Sequence, residues 1–276
     1  MDALFLWKVA ASFLIGGGAI AAQLSLAERS SEHVAGILLS FPSTMAISFF
    51  FIGLAGSPMD VAEVARAAPA GTAVFLLFNA AYARLARLPL GRVSIPAAAA
   101  GSLAAWAVLA WAAARFTAAA GPHRLQVSLA VYAAALCAGF VLLTLGVRAP
   151  PIEHAAPSLR RTAARAAFCG SVIASAVVVV RLLGPCWGAM FATFPAALLS
   201  GLLVLHARHG GKAVPRFTRA LPAGSVTLVV FALAAMWTFP RWGNVLGLAG
   251  AWLASAASLP LVLSRRLRIA PAVISP

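Results

Sequence analysis

A chain of 276 residues with 62% hydrophobic and 10% charged side chains is far from a soluble domain, which carries about 25% charged residues. The net charge of +15 would suggest nucleic acid on a soluble protein. Here the arginines lie in short connections between apolar runs, where they set orientation and meet anionic lipid headgroups, so nucleic-acid binding is excluded.

The apolar runs are long enough to span a hydrocarbon core and do not alternate as barrel strands would. They predict an all-α polytopic helix bundle in a lipid bilayer. Nine spans are expected, over residues 4–24, 34–54, 70–85, 93–114, 126–147, 163–183, 188–206, 223–239 and 243–263. A Pro-rich loop over 148–158 separates the fifth from the sixth, and a basic tail, Arg265-Arg266-Leu267-Arg268, follows the ninth. The first span reads as a retained helix, not a signal peptide. No positive charge precedes its apolar run, and its repeat partner lies mid-chain. Cys137, Cys169 and Cys186 have no metal spacing and read as small core hydrophobes.

The sequence repeats itself. Arg66-Ala67-Ala68-Pro69-Ala70-Gly71 returns as Arg219-Ala220-Leu221-Pro222-Ala223-Gly224, and Phe41-Pro42 returns as Phe194-Pro195. Both need the same shift of 153 residues (66 to 219, 41 to 194). Spans one to four and six to nine form the two copies, so residues 1–115 and 159–268 are two four-helix repeats. Residues 116–158 supply the linking fifth helix and loop, and 269–276 a terminal tail. Passing from one copy to the next crosses the membrane five times. An odd number inverts the second copy, a plan common among secondary transporters.

Charge tests that inversion. Of the 21 basic residues, 6 fall on the N-terminal side of the membrane (Lys8, Arg66, Arg115, Arg124, Arg181, Arg241) and 15 on the other. Basic loops stay in the cytoplasm, which puts the N-terminus outside and the C-terminus in the cytoplasm. Glu63 in one copy becomes Arg216 in the other, as inversion requires. The pair Glu28 and Arg181 runs the opposite way.

Ala35-Gly36-Ile37-Leu38-Leu39-Ser40-Phe41-Pro42-Ser43-Thr44, preceded by Ala27-Glu28-Arg29, resembles the signature of the GlpM-like group of small bacterial membrane proteins. The resemblance covers residues 10 to 85, and the second copy departs from it with Ala197 where Thr44 would repeat. It implies an internally duplicated relative in a bacterial inner membrane, built from four-span units. It implies no substrate, though the group is associated with exopolysaccharide production. Drug/metabolite transporters share the duplicated plan, without their diagnostic residues here.

A proline inside a span removes a helical hydrogen bond, which a bilayer tolerates where protein or a water-filled cavity satisfies the freed carbonyl. Ser40, Phe41, Pro42, Ser43 and Thr44 in one copy and Thr193, Phe194 and Pro195 in the other are therefore candidates for a solute site at the midplane; a packing kink is the alternative. Gly16-Gly17-Gly18 answers Cys169-Gly170-Ser171, a pattern for close helix packing or for a thin wall beside a solute path. Gln23, Asn79 and Asn244 are amides in or beside spans. Asn79, which faces Ala232 in the repeat, joins the candidate list. Glu28, Glu32, Asp60 and Glu63 fall in connections, which weakens proton coupling. His206 and His209 lack acidic neighbours for a metal site.

No catalytic constellation, metal site or cofactor motif is expected. The leading expectation is a transporter or permease-like protein for a small or lipid-like solute. The alternatives are a membrane scaffold of an envelope polysaccharide or lipid pathway and, behind it, a lipid-acting enzyme. Homo-oligomerisation stays open.

Overall fold

A computed structural model describes residues 3–29, 42–144 and 159–269. Among them every regular element is helical. In chain order these are α1 (Ala3–Arg29), α2 (Ser43–Ala55), α3 (Pro58–Leu85), α4 (Ser94–Ala119), α5 (Arg124–Thr144), α6 (Leu159–Leu183), α7 (Pro185–Ala192), α8 (Ala196–His209), α9 (Val214–Thr218) and α10 (Leu221–Ile269). Seven stretches are long and apolar enough to cross a membrane, with α7 and α8 counted as one and the 40 residues Leu221–Pro260 as another. Gly243, at φ 72°, divides α10 into two arms. The chain is a multi-pass membrane bundle. Leu14, Val108, Trp111, Leu246 and Leu253 are exposed on its outside, a surface that lipid, not water, suits.

The expected third span starts twelve residues too late. The helix begins at Pro58, because Ser57 and Asp60 form a capping box and Pro58 sits where a missing N–H costs nothing. Pro69, which reads like a helix start, lies inside α3. The helix beside it is tied to α5: the Ser128 hydroxyl accepts from Ala70 N–H at 2.7 Å and donates to Ala67 O at 3.2 Å. One turn on, the Tyr132 hydroxyl meets Ser225 Oγ at 2.9 Å, beside Pro222. The unpaired central helix α5 thus docks on both copies of the R-A-x-P-A-G motif.

Other boundaries differ too. The helix of the first span runs on to Arg29, and the last helical backbone runs to Ile269, through the expected tail. The seventh span is two helices, not one. The Pro-rich loop and residues 34–41 of the second span lie outside the described residues.

α3 is the central post. Its span is 83% buried, against 28% for each of α1, α4, α5 and α6. Around it, α1 and α6 pack antiparallel. Arg181 caps the Phe5 ring at 4.4 Å, and between these ends lie two close backbone approaches. A Cβ on Gly17 would strike the Ala166 carbonyl, and a Cβ on Gly170 would strike the Phe13 carbonyl. The two approaches are one contact made twice, since 17 and 13 become 170 and 166 under the 153-residue shift. Such reciprocity is how two-fold related surfaces meet.

Candidate functional site beside two N-cap prolines

Pro42 and Pro195 occupy the same place in local structure. Pro42 is the N-cap of α2 at φ −77°, ψ 47°, and Pro195 is the N-cap of α8 at φ −78°, ψ 51°. Each offers its carbonyl to the residue four on, Ala46 and Leu199, at 2.7 Å. These dihedrals are those of an inverse γ-turn, and Ala196 N–H closes that turn on Phe194 O at 2.8 Å. Pro195 has no N–H for Phe191 O, which takes Phe194 N–H at 3.1 Å instead. The Ala192 carbonyl has therefore lost its regular helical donor. Thr193 reinforces the end of α7 by donating its hydroxyl to Ala189 O at 2.8 Å.

The break lies at mid-depth. Gly71 stands at the midpoint of α3, and a Cβ there would collide with Thr193 Oγ1 and approach Ala189 O at 2.9 Å. Phe194 is fixed by aromatic contacts: ring centres of Trp106, Phe78 and Phe168 stand at 4.9, 5.9 and 6.2 Å. The Trp106 and Phe168 rings stand edge-on to it, and such pairs contribute about 0.5–1.5 kcal/mol each beyond burial.

A cavity of about 90 Å³ opens beside the two prolines. Pro42, Ser43, Thr44, Thr193, Phe194 and Pro195 all line it, so six of the nine candidate residues share one wall. Ser40 and Phe41 fall outside the described residues. Asn79 does not line the cavity. It is fully buried, its Nδ2 donates to Phe75 O at 2.7 Å, and its Oδ1 meets no partner. The remaining wall includes Gln23, Met45, Phe75, Leu198, Leu221 and Leu228. The repeat could have flagged several of these, because the wall includes four pairs 153 apart: Pro42 with Pro195, Thr44 with Ala197, Met45 with Leu198, Phe75 with Leu228. The cavity sits where the two copies meet.

Its chemistry is less symmetric than its shape. Among the described residues that line it, none is charged. Ser43 and Thr44 put hydroxyls on one side, while Ala196 and Ala197 stand at the equivalent positions. Among the described residues no three His, Cys, Asp or Glu side chains cluster as metal ligands would. Compared with protein-family models, curated proteins and solved structures, the chain matches none.

Proposed function

We propose that the chain is a permease-like membrane transporter, built from two inverted four-helix repeats, that moves a small uncharged solute through the cavity between Pro42 and Pro195. The observation that carries this reading is the wall of four residue pairs related by one shift. A site on the axis between inverted copies, beside discontinuous helices, is the arrangement from which alternating access follows. The antiparallel packing of α1 on α6 supports inversion, since equivalent helices of inverted copies must run in opposite directions.

The solute class follows from the wall. Among the described lining residues none would offset an ion's charge, and shedding water there would be costly. An uncharged solute needs hydrogen bonds at one end, which Ser43 and Thr44 offer, and apolar contact at the other, which Phe75, Leu198 and Leu228 offer. A 150 Å³ cavity holds benzene, so a cavity of about 90 Å³ takes a still smaller molecule. This favours the small solute over a lipid-like one. A place among GlpM-like proteins of the bacterial inner membrane, with the N-terminus outside, belongs to the same proposal and rests on the Gly36 to Thr44 motif.

Proteoliposomes carrying the full chain should shrink and recover faster than empty vesicles when challenged with urea or glycerol. Thr44→Val and Pro195→Ala should each slow that exchange by about ten-fold, the effect of losing about 1.4 kcal/mol. Exchange equal to empty vesicles across uncharged and charged small solutes would remove the transport reading.

A further inference from the structure

The 153-residue shift also pairs Gly53 with His206, each near the end of the second span of its copy. Both end positions meet the start of the last helix of the other copy. His206 meets Ser94, where α4 begins, and Gly53 meets Asn244, where the second arm of α10 begins. Each start follows a glycine turned to positive φ, Gly91 at 56° and Gly243 at 72°.

The two meetings close opposite ends of the bundle. Gly53 lies against Val61 and His206 against Tyr82, both on α3. At 1.5 Å per residue those two positions are about 32 Å apart, the thickness of a hydrocarbon core. Gly71 and the cavity lie between them.

Geometry matches at the two ends but bonding does not. His206 is buried, with Nε2 3.0 Å from Ser94 Oγ and Nδ1 3.4 Å from Tyr82 Oη. That ties α8, α4 and α3 together. At the other end Gly53 has no side chain to offer, and Asn244 Oδ1 packs over it without a hydrogen-bond partner.

We infer that His206, Ser94 and Tyr82 form a latch that holds the cavity shut on their side, and that Gly53 and Asn244 are the looser counterpart through which solute enters first. The inference rests on the transport reading of the cavity. Parting α8 from α4 and α3 breaks hydrogen bonds on one side, whereas the Gly53–Asn244 contact on the other contains none.

Thr44→Cys, in the wall, reports both. The full chain is placed in sealed right-side-out and inside-out vesicles and treated with a membrane-impermeant maleimide; the chain without this substitution gives the background from its own cysteines. The residue should be labelled from the Asn244 side and scarcely from the His206 side. Adding His206→Ala should raise labelling from the His206 side at least three-fold, and His206→Gln, which can still bond Ser94, should restore the original pattern. Ser94→Ala carries the same expectation should His206→Ala fail to fold. Unchanged sidedness in folded variants overturns the latch while leaving the path intact. Labelling from neither side in any variant overturns the transport reading, and the latch with it.

Discussion

The three consecutive glycines of α1 face different surroundings. A Cβ on Gly17 would meet a carbonyl oxygen of α6, on Gly16 the tip of Ile173, and on Gly18 nothing within 4 Å. Backbone cannot step aside as a side-chain end can, so Gly17→Ala should destabilise the bundle by about 1–3 kcal/mol, as overpacking does. Gly18→Ala should stabilise it by up to about 1 kcal/mol through helix propensity. Gly170→Ala should behave as Gly17→Ala does, since both make the same contact. Thermal unfolding of the purified variants in detergent checks the order, and equal midpoints for Gly17→Ala and Gly18→Ala would contradict it. The sequence marks the glycine run as a place of close packing but cannot rank its members, because the rank depends on what stands opposite. Gly53 and Gly71 show the same limit: Gly53 carries no local signal yet seats Asn244, and Gly71, marked only by the repeat, lets α3 pass the break before Pro195.

Elements were legible where hydrophobic runs are long, and less so where a proline interrupts them. The length and apolarity of α1, α4, α5 and α6 place them within a few residues of their observed bounds, apart from the extensions of α1 to Arg29 and α4 to Ala119. Pro69 misleads because the helix around it is anchored by Ser128, 58 residues beyond the Ala70 N–H whose bond it accepts. No local pattern announces such a partner. Removing the Ser128 hydroxyl takes away two buried hydrogen bonds, each worth about 0.5–1.5 kcal/mol, so Ser128→Ala should lower the unfolding midpoint clearly. Tyr132→Phe should cost less, since Ser225 keeps its bond to Pro222 O at 2.8 Å. A Tyr132→Phe midpoint below that of Ser128→Ala would show that α5 is anchored mainly on the second copy. The candidate site was legible to a similar degree. The paired Phe-Pro steps led to the cavity, whereas Asn79 was singled out for its polarity and spends its amide on its own helix.

At the scale of the molecule, inversion makes a claim that a single contact cannot carry. Glu63 binds Arg66 and Arg124 at one end of α3 and α5; its equivalent, Arg216, follows the basic turn after α8. The one contrary pair in the charge count, Glu28 and Arg181, loses its force on the Arg181 side. That guanidinium lies over Phe5 in the last turn of α6, where a cation favours the helix dipole and an aromatic face. Its position answers to local chemistry, so it says little about which way the loop faces. The bulk of the basic residues then decides: the face of Arg216 should be cytoplasmic and that of Glu63 external. Cysteines placed at Glu63 and at Arg216 should therefore react with an impermeant maleimide from opposite sides of sealed vesicles, Glu63→Cys from the outside. A reporter fused to the C-terminus should be active in the cytoplasm. Two parallel copies would instead put both cysteines on one face, and a cavity between parallel copies could not exchange its two openings by the rocking that inversion permits.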